Sequence, residues 1–204
     1  MITNYSDLQL AIQQWLNRPN EASVIPTFIQ LCENKLSRSL RIRQMEVDFT
    51  GTIASGVFPV PTGYLEMKRF YVSTSPATKL TRKGVGWIDY FYPRSNGSNV
   101  PKYFARDADN FIFGPYPDSS YNVGGTYYAK ITPLSDAAPT NWYTSDAPEL
   151  LLYGSLLEAE PYIKDDSRMQ LWKGLFEEAK AAVILQDKRE STRGSIMSGD
   201  YECS

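Results

Sequence analysis

Histidine is absent from all 204 residues, and that absence removes whole classes of chemistry. Ser-His-Asp and Cys-His nucleophile activation, imidazole general-base catalysis and His-x-x-x-His zinc ligation are excluded. Cysteine is nearly as scarce, with two residues: Cys32 within an apolar stripe and Cys203 next to the end. Such a pair makes no disulfide framework and suits assembly in a reducing compartment. Charge of one sign is also missing. With 21 Lys and Arg against 23 Asp and Glu, the net charge is -2, without the basic excess by which a nucleic-acid-gripping protein neutralises phosphates. No apolar run approaches the roughly eighteen residues a membrane span needs. The start Met1-Ile2-Thr3-Asn4 has no basic segment with an apolar run behind it, so the protein is expected to stay cytosolic where it is made.

The remaining chemistry-bearing patterns are fragments. Asp107 and Asp109 imitate the opening of a calcium loop, yet Ile112 stands where the sharp-turn glycine belongs and Asp118 where a bidentate glutamate belongs. The segment reads instead as a polar hairpin turn. Gly84-Val85-Gly86 lacks the third glycine of a dinucleotide loop, and Gly154-Ser155 lies inside a helical pattern rather than on a nucleophile elbow. No phosphate loop, internal repeat or low-complexity tract occurs. No catalytic residue, cofactor or metal is therefore assigned.

What is present is helix at both ends and strand between. Ser6-x-x-Gln9 reads as a capping box, followed by Leu8, Ala11, Ile12, Trp15 and Leu16 at helical spacing. Asn17 to Asn20, with Pro19 inside, ends that helix. A second starts near Pro26, which has no amide donor to lose in the first turn, and Ile25, Phe28, Ile29, Cys32, Leu36 and Leu40 form its apolar stripe. Opposite lie Lys35, Arg38 and Arg41, with Leu31 among them, an apolar residue on a charged face that suggests a contact outside the subunit. The cations face an acidic partner or DNA, or simply complement the helix dipole in solvent.

These N-terminal residues carry a resemblance. Ile2-Thr3-Asn4-Tyr5-Ser6-Asp7-Leu8, then Ala11, Trp15-Leu16-Asn17-Arg18, Ile25-Pro26-x-Phe28-Ile29 and Leu40-Arg41-x-Arg43-Gln44-Met45-Glu46 resemble the head-to-tail adaptor, or connector, proteins of short-tailed bacteriophages. The resemblance is strongest over residues 2 to 46 and transfers no active site. It implies a dodecameric ring in the neck of the virion, between the portal protein above and a tail nozzle or tail hub protein below. Genome DNA would pass through its channel without sequence-specific binding, along a wall that near-neutral charge suits. Assembly is expected in the host cytoplasm, with no membrane partner.

From Val47 to about Thr132 the texture is short β-branched and aromatic runs cut by Gly, Pro, Asn and Asp. Strands are expected at Val47 to Ile53, Gly56 to Val60, Leu65 to Ser73, Thr78 to Thr81, Tyr103 to Arg106, Phe111 to Phe113 and Thr126 to Ile131. Turns are expected at Asp107 to Asn110 and Thr52 to Ser55, and Pro59 and Pro61 confine their segment to an edge. Trp87 to Tyr92 fits one helical turn or a strand. Helix returns at Asp146-x-x-Glu149, with Pro148 in the first turn, and is expected to stop at Pro161. Leu150 and Leu157 lie across from Leu152, Leu156 and Ala159, so this helix is buried on both sides, centrally or between subunits. Asp165 or Asp166 caps a last helix with Met169, Trp172, Leu175, Phe176, Ala179, Ala182 and Val183 inward and Lys173, Glu177 and Lys180 opposite.

The expected fold class is α+β: a helical bundle from both chain ends with an inserted antiparallel β-rich module. Its divisions are residues 1–46, N-terminal helices; 47–134, the insertion; 135–190, C-terminal helices; and 191–204, an extended tail. A chain of this length buries roughly 70% of the surface its unfolded form exposes, enough without staples. Expected subunit-interface residues are Leu10, Leu31, Leu150 and Leu157. The tail, with Ile196, Met197 and Tyr201 as apolar anchors among Gly and Ser, is expected to order on the portal. The competing reading is a carbohydrate-binding module built on the aromatic clusters Tyr90-Phe91-Tyr92, Tyr127-Tyr128 and Trp142-Tyr143. Its bland counterpart has those rings filling a core or a subunit contact.

Overall fold

A computed structural model of the chain describes residues 1–93, 97–163 and 168–192. In chain order it contains α1 (Tyr5–Leu16), α2 (Ile25–Ser39), β1 (Glu46–Ile53), β2 (Val57–Pro59), β3 (Tyr64–Val72), β4 (Thr78–Lys79), β5 (Thr81–Arg82), α3 (Val85–Phe91), β6 (Tyr103–Asp107), β7 (Asn110–Gly114), β8 (Tyr121–Ala129), α4 (Trp142–Asp146), α5 (Pro148–Ile163) and α6 (Met169–Thr192). The protein is α+β. It divides into two compact units, one of Met1–Gln44 with the chain from Ile131 onward, the other Met45–Lys130.

In the helical unit, α1 begins before the Ser6 box. Asn4 is extended and its side chain accepts from the Asp7 amide at 2.9 Å, while Asp7 Oδ2 accepts from the Thr3 amide and hydroxyl at 3.1 and 2.6 Å. The cap is thus built two residues early, because Asn4 and Asp7 stand in the same i, i+3 relation as Ser6 and Gln9, with Asp7 reaching back to Thr3 rather than to the cap residue's own amide. α2 starts at Ile25 with Pro26 in its first turn. The expected C-terminal start at Asp146 is replaced by two helices. Asn141 and Thr144 form the capping box of the short α4, and α5 then begins at Pro148. Pro161 lies inside α5 rather than ending it; so close to the C-terminus, its missing N–H costs one bond in the last turn. Residues 165 and 166, expected to cap α6, fall outside the described residues.

α5 packs against α1, α2, α4 and α6, and Leu150, Leu151, Leu152, Gly154, Ser155, Leu156, Ala159 and Glu160 are all buried. This all-round burial is what its two apolar faces require. Gly154 sets the distance of closest approach, since a Cβ there would lie 2.3 Å from Cys32 Sγ on α2 and 2.8 Å from Phe176 Cε2 on α6. Buried Glu160 accepts from Trp172 Nε1 at 2.8 Å. Buried Glu33 accepts from the Leu134 amide at 3.0 Å and Asn141 Nδ2 at 3.1 Å, and Pro139 O accepts from the Tyr5 amide at 2.7 Å. These bonds tie the irregular segment before α4 to α1 and α2. Arg43 joins the end of α6 through Asp187 and Glu190.

The β unit holds two four-stranded sheets, ordered β1-β8-β3-β4 and β2-β7-β6-β5. Pairing is antiparallel except between β5 and β6, which run parallel. Ser55 and Gly56 both have positive φ and close the loop after β1, slightly later than the Thr52 to Ser55 turn expected. The Asp107 to Asn110 turn forms as expected, with Ala108 at φ 49°, and β2, bearing Pro59, is an edge strand. β8 begins five residues before the expected Thr126, at Tyr121. Its Gly124-Gly125 pair read as a strand breaker, yet a Cβ at Gly125 would lie 2.1 Å from Arg69 O across an irregularity in β3. Glycine is there because the backbones meet. Ile53, Phe58, Phe70, Val72, Leu80, Phe104, Phe111, Phe113 and Val123 form this unit's core.

Two measurements test this packing. Gly154→Ala should lower stability by about 1–3 kcal/mol, because the added methyl meets two well-packed neighbours; a shift in the urea midpoint at unchanged slope reads it. Burial, reinforced by Glu158 and Glu33, pushes the Cys32 thiol up, and burial does the same for the Tyr143 hydroxyl. Both groups stay neutral when folded and ionise first in the unfolded chain, so the stability they contribute is complete below the unfolded values and is lost as pH rises past them. Urea midpoints should hold from neutral pH to about 8 and fall from about 8.5 upward.

Candidate interaction surfaces

The residues expected between subunits separate into three kinds. Leu10 on α1 is 53% exposed and Leu31 on α2 is 47% exposed, each on the side turned away from its own apolar stripe. Leu157 on α5 is half-buried. Leu150 departs from the expectation: it is 0% exposed inside the subunit. With α5 enclosed by four other helices, its second apolar face is satisfied within one chain and Leu150 has no surface to offer a neighbour.

The cationic face of α2 also divides. Lys35 Nζ lies 2.8 Å from Glu158 Oε1 on α5 and 5.7 Å from the centre of the Phe176 ring. Its charge is therefore engaged inside the helical unit. Arg41 Nη1 donates to Ser37 O at 2.9 Å and Leu40 O at 2.5 Å, covering carbonyls that the end of α2 would otherwise leave without donors. Arg38 projects from the last turn and is exposed.

Further apolar surface appears beyond the four expected interface leucines. Trp15, Leu171, Leu185 and Tyr162 are exposed on the helical unit, and Tyr90 and Phe91 on α3 of the β unit. On α3, Trp87 contacts Phe91 at 4.8 Å and Tyr103 at 4.9 Å between ring centres, with Lys83 Nζ 4.9 Å from the Trp87 ring. Trp87 to Tyr92 thus resolves as a helix with a partly exposed aromatic patch. By contrast Tyr127 and Tyr143 are buried, and Tyr127 meets Phe49 edge to face and Tyr64 at a tilt inside the β unit. The heptad spacing of Leu171 and Leu185 is the signal that would have found the α6 surface.

Asp107 and Asn110 pair across the β6–β7 hairpin, which is the polar-turn geometry. Among the described residues no group of three or more His, Cys, Asp or Glu side chains is placed to hold a metal ion, and no helix is long and apolar enough to cross a membrane. The expected tail anchors Ile196, Met197 and Tyr201, like Cys203, lie outside the described residues.

The surface is thus one of apolar and charged patches on rigid helices. The sequence matches the family model for SU10 adaptor protein over residues 3–198, nearly the whole chain. This chain belongs to the SU10 adaptor protein family. It is a structural adaptor of a bacteriophage, a class of virion component and not an enzyme class. No curated protein matches the sequence. The adaptor resemblance read from residues 2 to 46 therefore extends across both units, and membership implies association with other structural proteins of the phage.

Proposed function

We propose that copies of this chain assemble as a ring that joins the portal to the tail and forms part of the channel through which the genome leaves. Membership of the adaptor family carries the reading; the exposed Leu10 and Leu31 on rigid helices support it. Exposed leucines held by a packed helix cost little to dock, because the helix is already ordered. In this reading the helices from the two chain ends form one bundle, and the β unit inserted between them offers a second, separately built surface. The ring is a dodecamer by resemblance, with Leu10, Leu31 and the half-buried Leu157 at lateral contacts. A net charge of -2 gives the channel wall little hold on phosphates. With Lys35 and Arg41 engaged in the subunit, Arg38 is the cation of that face available for a partner's carboxylate.

The tail from about residue 193, following α6, grips the portal through Ile196, Met197 and Tyr201. α6 includes Ser191 and Thr192, two residues past the expected boundary at Glu190.

Two outcomes are expected. Leu31→Glu should leave the subunit folded, with an unchanged circular dichroism melt, while abolishing ring formation on the portal; normal assembly by this variant and by Leu157→Glu would place the lateral contact elsewhere. Ending the chain at Thr192 should change thermal stability by no more than about 0.5 kcal/mol yet weaken attachment to DNA-filled heads, seen as lost tails or released DNA. Retention of both by the truncated protein would reduce the tail to an ordinary terminus.

A further inference from the structure

The outer faces of α2 and α6 carry matching patterns. On α2, Leu31 and Arg38 are both exposed and stand one heptad apart, about 10.5 Å along the axis. On α6, Leu171, Glu178 and Leu185 are all exposed and stand at the same heptad spacing, with Leu171 55% and Leu185 48% exposed. A seven-residue step returns to nearly the same side of a helix, drifting about 20°. Each set is therefore a line along one face, with a charge at a fixed distance from a leucine. Between the α6 leucines, Gly174 and Ala181 are exposed, and a Cβ at Gly174 would meet nothing within 4 Å, so a neighbouring helix can approach the α6 backbone closely.

The two lines fit each other in either direction. Parallel helices set Leu31 on Leu171 and Arg38 on Glu178; antiparallel helices set Leu31 on Leu185, and Arg38 again meets Glu178. Neither line fits itself as well. A two-fold pairing of α6 with α6 that joins Leu171 to Leu185 brings Glu178 against Glu178, and a two-fold α2 pairing centred on Arg38 brings like charges together. Both lines face away from α5, on which α2 and α6 each pack through their buried stripes. A contact between two different surfaces of identical subunits is heterologous, and such contacts build a ring where the rotation between neighbours closes and an open filament where it does not.

We propose that the lateral contact of the ring is made by the α2 outer face of one copy seated on the α6 outer face of the next, with an Arg38–Glu178 ion pair beside a leucine pair. This rests on the ring reading given above and adds to it the partner face and the register.

The test uses the full chain with Cys203→Ser, so that buried Cys32 is the remaining native thiol, assembled on its portal. Arg38→Cys and Glu178→Cys are made separately, mixed, and treated with a short bismaleimide. The expected result is a 38-to-178 cross-linked dimer in the mixture and none from either variant alone. In parallel, Arg38→Glu and Glu178→Arg should each lower the ring-bound fraction about tenfold or more, as expected for truncating or reversing one member of an interfacial charge pair, and the double variant should recover most of it. Rings that form without the 38-to-178 link, or with 38-to-38 or 178-to-178 links, overturn the proposed contact while leaving the ring intact as a reading. Absence of any ring from the unaltered chain on its portal overturns both. Should a charge variant fail to fold, the cysteine pair decides alone.

Discussion

The helical unit depends on how closely α2 and α6 can approach α5 at Gly154. There the Cys32 sulfur and the Phe176 ring occupy the space a side chain would need. Because α5 is apolar on nearly every side, it is stable only when enclosed, and the enclosing helices α1 and α2 come from one end of the chain while α4 and α6 come from the other. The same closeness fixes what is left outside. With their buried stripes committed to α5, α2 must present Leu31 and Arg38 to solvent, and α6 must present Leu171, Glu178 and Leu185. A closely packed interior thus produces an ordered exterior.

Polar groups inside the unit extend that control to the chain between the helices. Glu33 is buried, and its carboxyl group accepts from Leu134 N–H and Asn141 Nδ2 of the segment that leads into α4. These two bonds hold an irregular stretch in place, and losing either removes a partner from a buried polar group. Lys35 and Glu158 clip α2 to α5 at the surface, an interaction of small energetic weight at its exposure but one that orients the side chain away from the outer face.

Much of this was legible in the residues, and the misses have particular causes. The stripe of α2, Pro26 in its first turn, the turn after Asp107 and the edge position of Pro59 followed from periodicity and turn chemistry and are all present. Asn4 and Asp7 offer the same spacing as Ser6 and Gln9 two residues on, and only backbone conformation distinguishes the two as caps. β8 runs five residues further toward the N-terminus than expected, across Gly124 and Gly125, whose missing side chains admit Tyr71 and the β3 backbone. Leu150 was assigned to a neighbouring subunit because a helical wheel shows two apolar faces without showing that four helices surround them. Leu171 and Leu185 lie outside the buried stripe of α6, which dominates its apolar periodicity. Family membership, carried at first by the N-terminal motifs, holds over nearly the whole chain.

In the proposed reading, the role that unites these features is mechanical: a subunit whose helices pack tightly enough to hold apolar and charged patches in register for its neighbours. The most direct test is electron microscopy of the purified chain mixed with its portal, with the copy number read from the averaged particle. A closed ring of this protein seated on the portal, about a lumen wide enough for duplex DNA, is the predicted result. Isolated copies bound singly to the portal, or no binding at all, would contradict the account.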